Sequence, residues 1–236
     1  RRGKDDKSDS KDIAHYAYLH SKRLKVSPLP AERMMQLKNL LAHRARLVKQ
    51  RTMLKSSIKE FKSFMPEHFS PDCIEEDSKE LIKLLSSKIR SVEKQMLNII
   101  EEDKELDRLY NLVKSVKGIG LITTITLLVY TNCFKSFANA RKFACYIAIA
   151  PFSRQSGISL NLPGRINKMG YTKIKVLLSS SALTATKFDH QLKAYYERKL
   201  LEGKTKSSAL NAVKNKLIAR VFAVVKRGTP YVELQY

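Results

Sequence analysis

Residues 150–157 read Ala-Pro-Phe-Ser-Arg-Gln-Ser-Gly, and they interrupt a sequence that is otherwise patterned for helices. They lie within Arg108–Phe188, a segment without Asp or Glu in a chain that has 22 acidic residues. Hydroxyl groups therefore stand among cations that no carboxylate nearby in the sequence neutralises. The stretch predicts a surface suited to a polyanion, with a candidate nucleophile inside it.

The flanking sequence predicts a mainly α fold with one small insert. Residues 160–165, Leu-Asn-Leu-Pro-Gly-Arg, predict the turn of a small β-hairpin or an ordered loop. Before the insert, apolar residues from Phe134 to Ile147 recur at helical spacing. After it, the pattern predicts helices over about 171–188, 190–202 and 205–226.

Two long amphipathic segments precede this region. Apolar residues recur at spacings of three and four over 31–64, and again from Ser78 to Val113. Two helices of about 34 residues would each be about 50 Å long. We expect an antiparallel hairpin or coiled coil, and the alternative is a pair of core helices within one helical domain. A shorter helix is predicted from Lys11 to about Ser21, with Asp9 or Ser10 as its N-cap.

A glycine turn follows the second long segment. Residues 116–125 read Val-Lys-Gly-Ile-Gly-Leu-Ile-Thr-Thr-Ile, a pattern that resembles the turn of helix-hairpin-helix modules. There, Gly118 and Gly120 would bring backbone N–H groups close to a phosphate at a helix N-terminus, beside Lys117. An ordinary tight turn between helices would have the same sequence.

The net charge of +23 points to polyanionic partners, with nucleic acid before an anionic membrane surface. Residues 111–236 hold 21 Lys+Arg and 4 Asp+Glu, so the C-terminal half is the expected binder. No apolar run reaches the ~18 residues that a membrane-spanning helix needs. Three widely spaced cysteines without metal-ligand spacing indicate a reducing compartment.

Two groups of residues are candidates for chemistry. Asp6 and Asp9 would share one face of a helix and could hold Mg²⁺, although spacing alone favours helix capping and solvation, and two carboxylates are too few for a two-metal site. Ser156 or Ser153 could attack a phosphodiester that Arg154 and Arg165 clamp; the alternative is a polar turn with hydroxyls bonded to the backbone. No His lies between His68 and His190, which excludes a local Ser-His-Asp triad.

Taken together, these motifs resemble one known family. The matching strings are Lys117–Gly120, Phe134–Phe137, Arg141–Pro151, Ser153–Gly157 and Arg165–Gly170. Their order and spacing over about residues 110–228 resemble the transposases of insertion-sequence family one-ten, which are related to the Piv/MooV DNA invertases. The start, residues 3–10, resembles the family's Lys-x-Asp-x-x-Asp-Ala segment, with Ser10 in place of Ala.

The resemblance implies a RuvC-like domain whose Asp-Glu-Asp-Asp set binds Mg²⁺, a long coiled coil, and a transposase domain whose serine links covalently to DNA. By motif, the last two acids of the set are Asp6 and Asp9, and the serine is Ser156 in preference to Ser153. The cations expected to contact phosphates are Arg154, Arg165, Lys168 and Lys173. The implied domains are residues 1–27 as the end of the RuvC-like domain, 28–113 as the helical hairpin or coiled coil, and 114–236 as the transposase domain.

The family's partners are DNA, in some members a bridge RNA, and further copies of the chain in a dimer or tetramer. A bacterial cytoplasmic, nucleoid-associated protein without membrane contact is therefore expected. The first Asp and the Glu of the acidic set would lie upstream of Arg1, so the resemblance predicts an N-terminally truncated transposase that is inactive alone. The alternative is a non-catalytic, nucleic-acid-binding helical protein derived from a transposase.

Overall fold

The computed structural model describes residues 5–23, 31–64, 72–156, 160–166 and 170–233. The chain divides into two compact units, residues 1–31 and 32–236. The first contains α1 (Asp6–Leu19). The second contains, in chain order, α2 (Glu32–Phe64), α3 (Asp72–Glu101), α4 (Lys104–Lys114), α5 (Leu121–Thr131), α6 (Ala140–Tyr146), β1 (Pro151–Ser156), β2 (Leu160–Ile166), α7 (Thr172–Phe188), α8 (His190–Leu201) and α9 (Lys206–Arg227). The fold is mainly α, as predicted.

Helix α1 begins five residues earlier than the apolar pattern predicts. The side chain of Asp5 accepts a hydrogen bond from the backbone N–H of Lys7 at 3.3 Å and so caps the helix. The predicted start at Lys11 is therefore wrong, because the polar run before it belongs to the first turns. No residue of α1 is buried within the described structure.

Helices α2 and α3 form the predicted antiparallel hairpin. Arg44 Nε donates to Glu93 Oε1 at 2.6 Å, and Lys62 Nζ lies 2.8 Å from Glu75 Oε1. Residue numbers rise along α2 as those of their partners fall along α3, which requires antiparallel helices. Supercoiling of the pair stays a prediction.

The second long segment was predicted as one helix to Val113, and this is wrong. Helix α3 ends at Glu101, and α4 starts at Lys104. Between them, the carboxylate of Asp103 accepts hydrogen bonds from the N–H groups of Glu105 and Leu106. The hydrogen bonds from Leu106 and from Arg33 lower the pKa of Asp103. A capping carboxylate thus starts a new helix at a place where the hydrophobic spacing alone predicts one uninterrupted helix.

Helix α5 joins two parts of the core. Ile125 and Leu128 pack with the base of the α2–α3 hairpin and with α4, while Leu127 packs into the cluster formed by α6–α9. The base of the α2–α3 hairpin is therefore part of the domain core. The long helices thus form an antiparallel hairpin, as one interpretation predicted, and their base packs as core helices, as the other predicted. Among the described helices, none has the length and apolar character needed to cross a membrane.

The insert is a two-stranded antiparallel sheet in which Phe152 pairs with Arg165 and Ser156 with Leu160. Residues 160–165, predicted as its turn, form a strand instead. The register shifts between Phe152 and Arg154, where Ser153 faces Pro163 and Gly164. Proline has no N–H to donate to the hydrogen bonds between the strands. The dipeptide Pro163-Gly164 is therefore typical of an irregular position in a strand as well as of a turn.

The helices around the insert follow the predictions with one exception. Helices α7, α8 and α9 lie within one residue of the predicted bounds. Helix α6 is shorter than predicted, because Asn132, Cys133 and Phe134 have positive φ angles and cannot belong to a helix. Phe134 and Phe137 nevertheless pack against the core from this loop.

Asp189 ties α8 to α9. It is 1% exposed; Oδ1 accepts from the N–H of Leu192 at 2.8 Å, and Oδ2 accepts from Arg220 Nη1 at 2.6 Å. We expect Asp189→Ala to lower the free energy of unfolding by about 3 kcal/mol, because it leaves Arg220 unpaired and α8 uncapped. Urea unfolding measures the change, and the exposed Glu197→Ala on the same helix should stay within about 0.5 kcal/mol. A loss below 1 kcal/mol for Asp189→Ala would contradict the inferred role.

The two glycines of the α4–α5 turn should respond differently to alanine. A Cβ on Gly118, whose φ is +91°, would lie 2.7 Å from the Ala185 Cβ and from the Ser181 carbonyl oxygen on α7. A Cβ on Gly120 would meet nothing within 4 Å. We expect Gly118→Ala to cost about 2–4 kcal/mol of stability and Gly120→Ala less than about 1 kcal/mol, measured by thermal or urea unfolding. Equal losses would refute this packing.

Candidate functional site

The two candidate metal ligands lie in the first turn of α1. Asp6 and Asp9 are both exposed and, three residues apart, share one face of the helix. Their carboxylates are also favourable beside the positive end of the helix dipole. The condition set by the sequence, that these residues lie within a helix, is met.

The carboxylates fit a cation only as part of a larger ligand set. Among the described residues, no group of three or more His, Cys, Asp or Glu side chains could hold a metal ion. Asp6 and Asp9 could supply two oxygen ligands of the kind that hard divalent cations prefer. They belong to the first unit of the structure, and Ser156 belongs to the second.

The root of β1 is fixed to α9 by two amides. Asn211 Nδ2 and Asn215 Nδ2 both donate to the backbone carbonyl of Ile149, at 2.8 and 3.0 Å. Ile149 is buried and lies two residues before Pro151, the first residue of the strand. The clamp holds the start of the serine-bearing strand on a helix that lies in the core.

The root of β2 is held by close backbone packing. A Cβ on Gly170 would lie 2.2 Å from the Ala148 Cβ, so only glycine fits here without displacing the backbone. Ala148 itself has a φ of +53°. The N–H of Tyr171 donates to the carbonyl of Tyr146 at 3.4 Å. Both ends of the hairpin thus start from the same tightly packed turn after α6.

The hairpin contains four of the predicted functional residues. Ser156 is the last described residue of β1, and Ser153 lies at the register shift. In the backbone register, Arg154 pairs with Leu162, and Arg165 pairs with Phe152. Lys168 lies outside the described residues. The hairpin therefore gathers both serines and both arginines, and their functional roles stay predictions.

Four other residues were predicted to contact phosphate, and each has a different environment in the structure. Lys117 forms an ion pair with Glu233, whose hydrogen bond raises the pKa of Lys117. Gly118 packs on α7, and this close contact is enough to explain why the residue is a glycine, with no need for a bound phosphate. Gly120 is the N-cap of α5 and has no side-chain cap. Lys173 is exposed in the first turn of α7.

The structure adds a basic groove that the sequence did not reveal. This lysine groove has a volume of about 680 Å³ and lies along α7, α8 and α9, beside Pro151. Its lining includes no Asp or Glu side chain among the described residues. The lysines that line it are Lys175, Lys204, Lys214 and Lys216.

Tyr195 positions three cations at the edge of the groove. Two of them, Arg198 and Lys199, also pair with Glu202, whereas no ion pair to Lys216 lies among the described residues. The cationic groups of Arg198, Lys199 and Lys216 lie 5.2–5.5 Å from the ring centre of Tyr195, which also lines the groove. Cation–π contacts position these groups, but the ring has no net charge. Lys216 therefore keeps its positive charge available to a ligand.

One signal in the sequence could have identified the groove. Along α9 the buried apolar residues are Ala209, Val213, Leu217, Ile218, Val221 and Val224. Lys214 is buried beside this stripe, where a lysine is unusual. Lys216 lies two residues further along α9 and Lys204 just before this helix, but Lys175 lies on α7, so its proximity to the others could be found only in three dimensions.

Comparisons with known proteins match this chain in two places. A family model described as the Transposase IS116/IS110/IS902 family matches residues 110–197, which include α5, the β-hairpin and α7. A second model, described as a transposase and covering the DEDD transposases of IS110 type, matches residues 1–66, which include Asp6 and Asp9.

Individual relatives agree with these matches. Pilin gene-inverting proteins of Moraxella bovis and Moraxella lacunata are each 26% identical over 196 residues, covering 83% of this chain and 57% of the relative. An insertion element IS110 uncharacterized 43.6 kDa protein of Streptomyces coelicolor is 31% identical over 117 residues, covering 50% of this chain and 29% of that protein. The match therefore spans little more than half the length of the Moraxella proteins. Both family matches and the relatives agree on one conclusion: the chain belongs to the IS110 family of transposases.

Proposed function

We propose that the protein is a DNA recombinase in which Ser156 attacks a phosphodiester bond. The observation that supports this most directly is the anchored β-hairpin, because it holds Ser156 between fixed roots in a segment without acidic residues. This hairpin lies within the stretch that matches the transposase family. The Moraxella relatives are named as pilin gene-inverting proteins, which is consistent with a reaction on DNA.

The proposed step exchanges one phosphoester for another. Ser156 Oγ forms a bond to phosphorus, the bond from phosphorus to one deoxyribose oxygen breaks, and that oxygen gains a proton as the serine loses one. Arg154 and Arg165 lie on the same hairpin, and their guanidinium groups can stabilise the charge that develops on the phosphoryl oxygens. The product is a serine–DNA phosphodiester, and the bond energy is kept for strand rejoining.

Covalent attachment gives a direct test of the nucleophile. In the protein expressed from its complete reading frame, we expect Ser156→Ala to abolish a DNA adduct that withstands denaturation with SDS, since no other atom replaces Oγ. Labelled DNA on a denaturing gel measures the adduct, and Ser153→Ala is the matched control that should retain it. Adduct formation by Ser156→Ala would contradict the assignment, and its loss only in Ser153→Ala would transfer the role to Ser153.

We further propose that Asp6 and Asp9 belong to an RuvC-like domain, for which residues 1–27 supply the final helix, and that they contribute two oxygen ligands to a Mg²⁺ site. Their exposure and shared face are compatible with this role. A bound divalent cation would supply Lewis-acid stabilisation of phosphoryl charge. Residues 28–113 then form the connecting hairpin, and 114–236 the transposase domain.

Conservative amide substitutions test the carboxylates. We expect Asp6→Asn and Asp9→Asn to lower the rate of adduct formation about 100-fold or more and to raise the Mg²⁺ concentration required, because a neutral amide binds a hard cation more weakly. Asp5→Asn is the control, since asparagine also caps a helix well and should keep the rate within about threefold. Wild-type rates and Mg²⁺ dependence in both variants would exclude these ligands.

The partners that we propose follow from charge and family. With a net charge of +23, the protein binds DNA, and a bridge RNA could share the same basic surfaces. Recombination joins two DNA sites, so a dimer or tetramer is the expected assembly, in the bacterial cytoplasm at the nucleoid. If the protein expressed from its complete reading frame neither forms the adduct nor recombines DNA, it is instead a non-catalytic nucleic-acid-binding member of the family.

A further inference from the structure

The lysine groove contains a positive charge that the described protein leaves unpaired. Lys214 is 7% exposed, and no carboxylate or hydrogen-bond acceptor contributes to its pKa. Burial is the main cause that lowers the pKa of Lys214, and repulsion by Lys175 adds to it. A buried ammonium without a partner is costly, so an anion in the groove would stabilise this arrangement.

Among the described residues that line the groove, none carries a counter-charge. The whole segment from Arg108 to Phe188 lacks Asp and Glu, and it includes residues 152–169, whose side chains lie outside the described set. The acids of the C-terminal half are Asp189, Glu197, Glu202 and Glu233. Three of them pair with other cations, and Glu197 does not line the groove. A ligand is therefore the natural source of negative charge.

A second polar atom shows that the ligand carries more than negative charge. Asn211 lines the groove, and its Nδ2 is directed to the Ile149 carbonyl by a hydrogen bond of 2.8 Å. Its Oδ1 is buried and has no hydrogen-bond partner among the described residues. This acceptor requires an N–H or O–H donor. A ligand with both anionic oxygens and a donor group would satisfy Lys214 and this acceptor together.

The size and polarity of the groove fit a nucleotide unit of a strand. A volume of about 680 Å³ is far larger than one phosphate needs, and it lies in the range of sites for larger ligands. A phosphodiester has no donor of its own, and neither does a deoxyribose within a strand, whereas the attached base has one. Thr205, Ser207 and Ser208, at the start of α9, also line the groove and place the positive end of that helix beside it.

We propose that the lysine groove binds one phosphodiester and its adjoining nucleoside from the nucleic-acid strand on which the β-hairpin acts. Lys214 contacts the phosphate, and Asn211 Oδ1 accepts a hydrogen bond from the base. Because Asn211 also holds the root of β1 through Ile149, strand binding and the position of the hairpin share one residue. This inference rests on the proposed function in one respect: it takes the bound strand to be the DNA strand on which the hairpin acts.

Binding measurements with a matched pair of lysines test the groove. Lys214→Met and Lys226→Met each remove one charge from α9, but Lys226 is exposed in the last turn and does not line the groove. Both changes are made in Ser156→Ala protein, so that no adduct forms. Fluorescence anisotropy measures the affinity for DNA and RNA oligonucleotides of one sequence at several salt concentrations, with inorganic phosphate as a separate probe.

We expect Lys214→Met to weaken oligonucleotide binding about 10-fold or more, and to reduce the slope of log K against log salt by about 0.7–0.9. Lys226→Met should change affinity less than about threefold. Weakening of DNA binding would support the site, and weakening confined to RNA would contradict its assignment to the strand on which the hairpin acts. Equal affinities and slopes for the two variants, or weakening seen only with inorganic phosphate, would overturn the proposal.

Two further measurements keep the result interpretable. The Tm of Lys214→Met should equal or exceed that of the parent, since the substitution removes an unpaired buried charge. If Lys214→Met fails to fold, Lys175→Met, which lies in the same groove and is less buried, takes its place with the same expected direction. Failure of Ser156 as nucleophile would appear in the adduct assay alone and would leave these affinities unchanged.

Discussion

The burial of α5 is the constraint on which the second unit depends. Ile125 and Leu128 pack toward the long hairpin and Leu127 toward the C-terminal helices, so both parts of the core need this one helix. A helix buried on all sides is normally apolar, yet four of its buried residues are threonines. They are tolerated because three hydroxyls donate to carbonyls one turn earlier and the fourth bonds Ser181 on α7. Gly118 lies in close contact with α7, and because it has no Cβ the chain can pass there before α5 begins.

The same packing positions the candidate chemistry. Helix α9 packs into the core through its apolar stripe, and its Asn211 and Asn215 hold the carbonyl that precedes β1. Gly170 closes the other end of the hairpin on Ala148. A reactive group on a hairpin is precise only if its supports are rigid, and here the supports belong to the core. The exposed carboxylates of α1 belong to a separate unit.

Charge is distributed so that one surface remains uncompensated. The acids of the C-terminal half are few, and Asp189, Glu202 and Glu233 are each engaged with a basic residue. The described lining of the lysine groove has positive charge only, including Lys214, which is nearly fully buried. This arrangement sacrifices stability for a strong local field, a feature typical of sites that bind nucleic-acid phosphates.

The sequence by itself determined the helical class, the long hairpin and the three C-terminal helices, because hydrophobic spacing is a local property of the chain. It also identified the family through the order of short motifs around Ser156. It failed where one polar residue overrides the apolar pattern, as at Asp5 and Asp103, and where Pro163-Gly164 marks an irregular strand instead of a turn. Only the tertiary structure decided that α5 joins two parts of the core, that α9 holds the hairpin, and that Lys175 of α7 lines one groove with three lysines on or just before α9. Those features depend on contacts between residues far apart in the chain, and spacing along a single sequence contains no information about them.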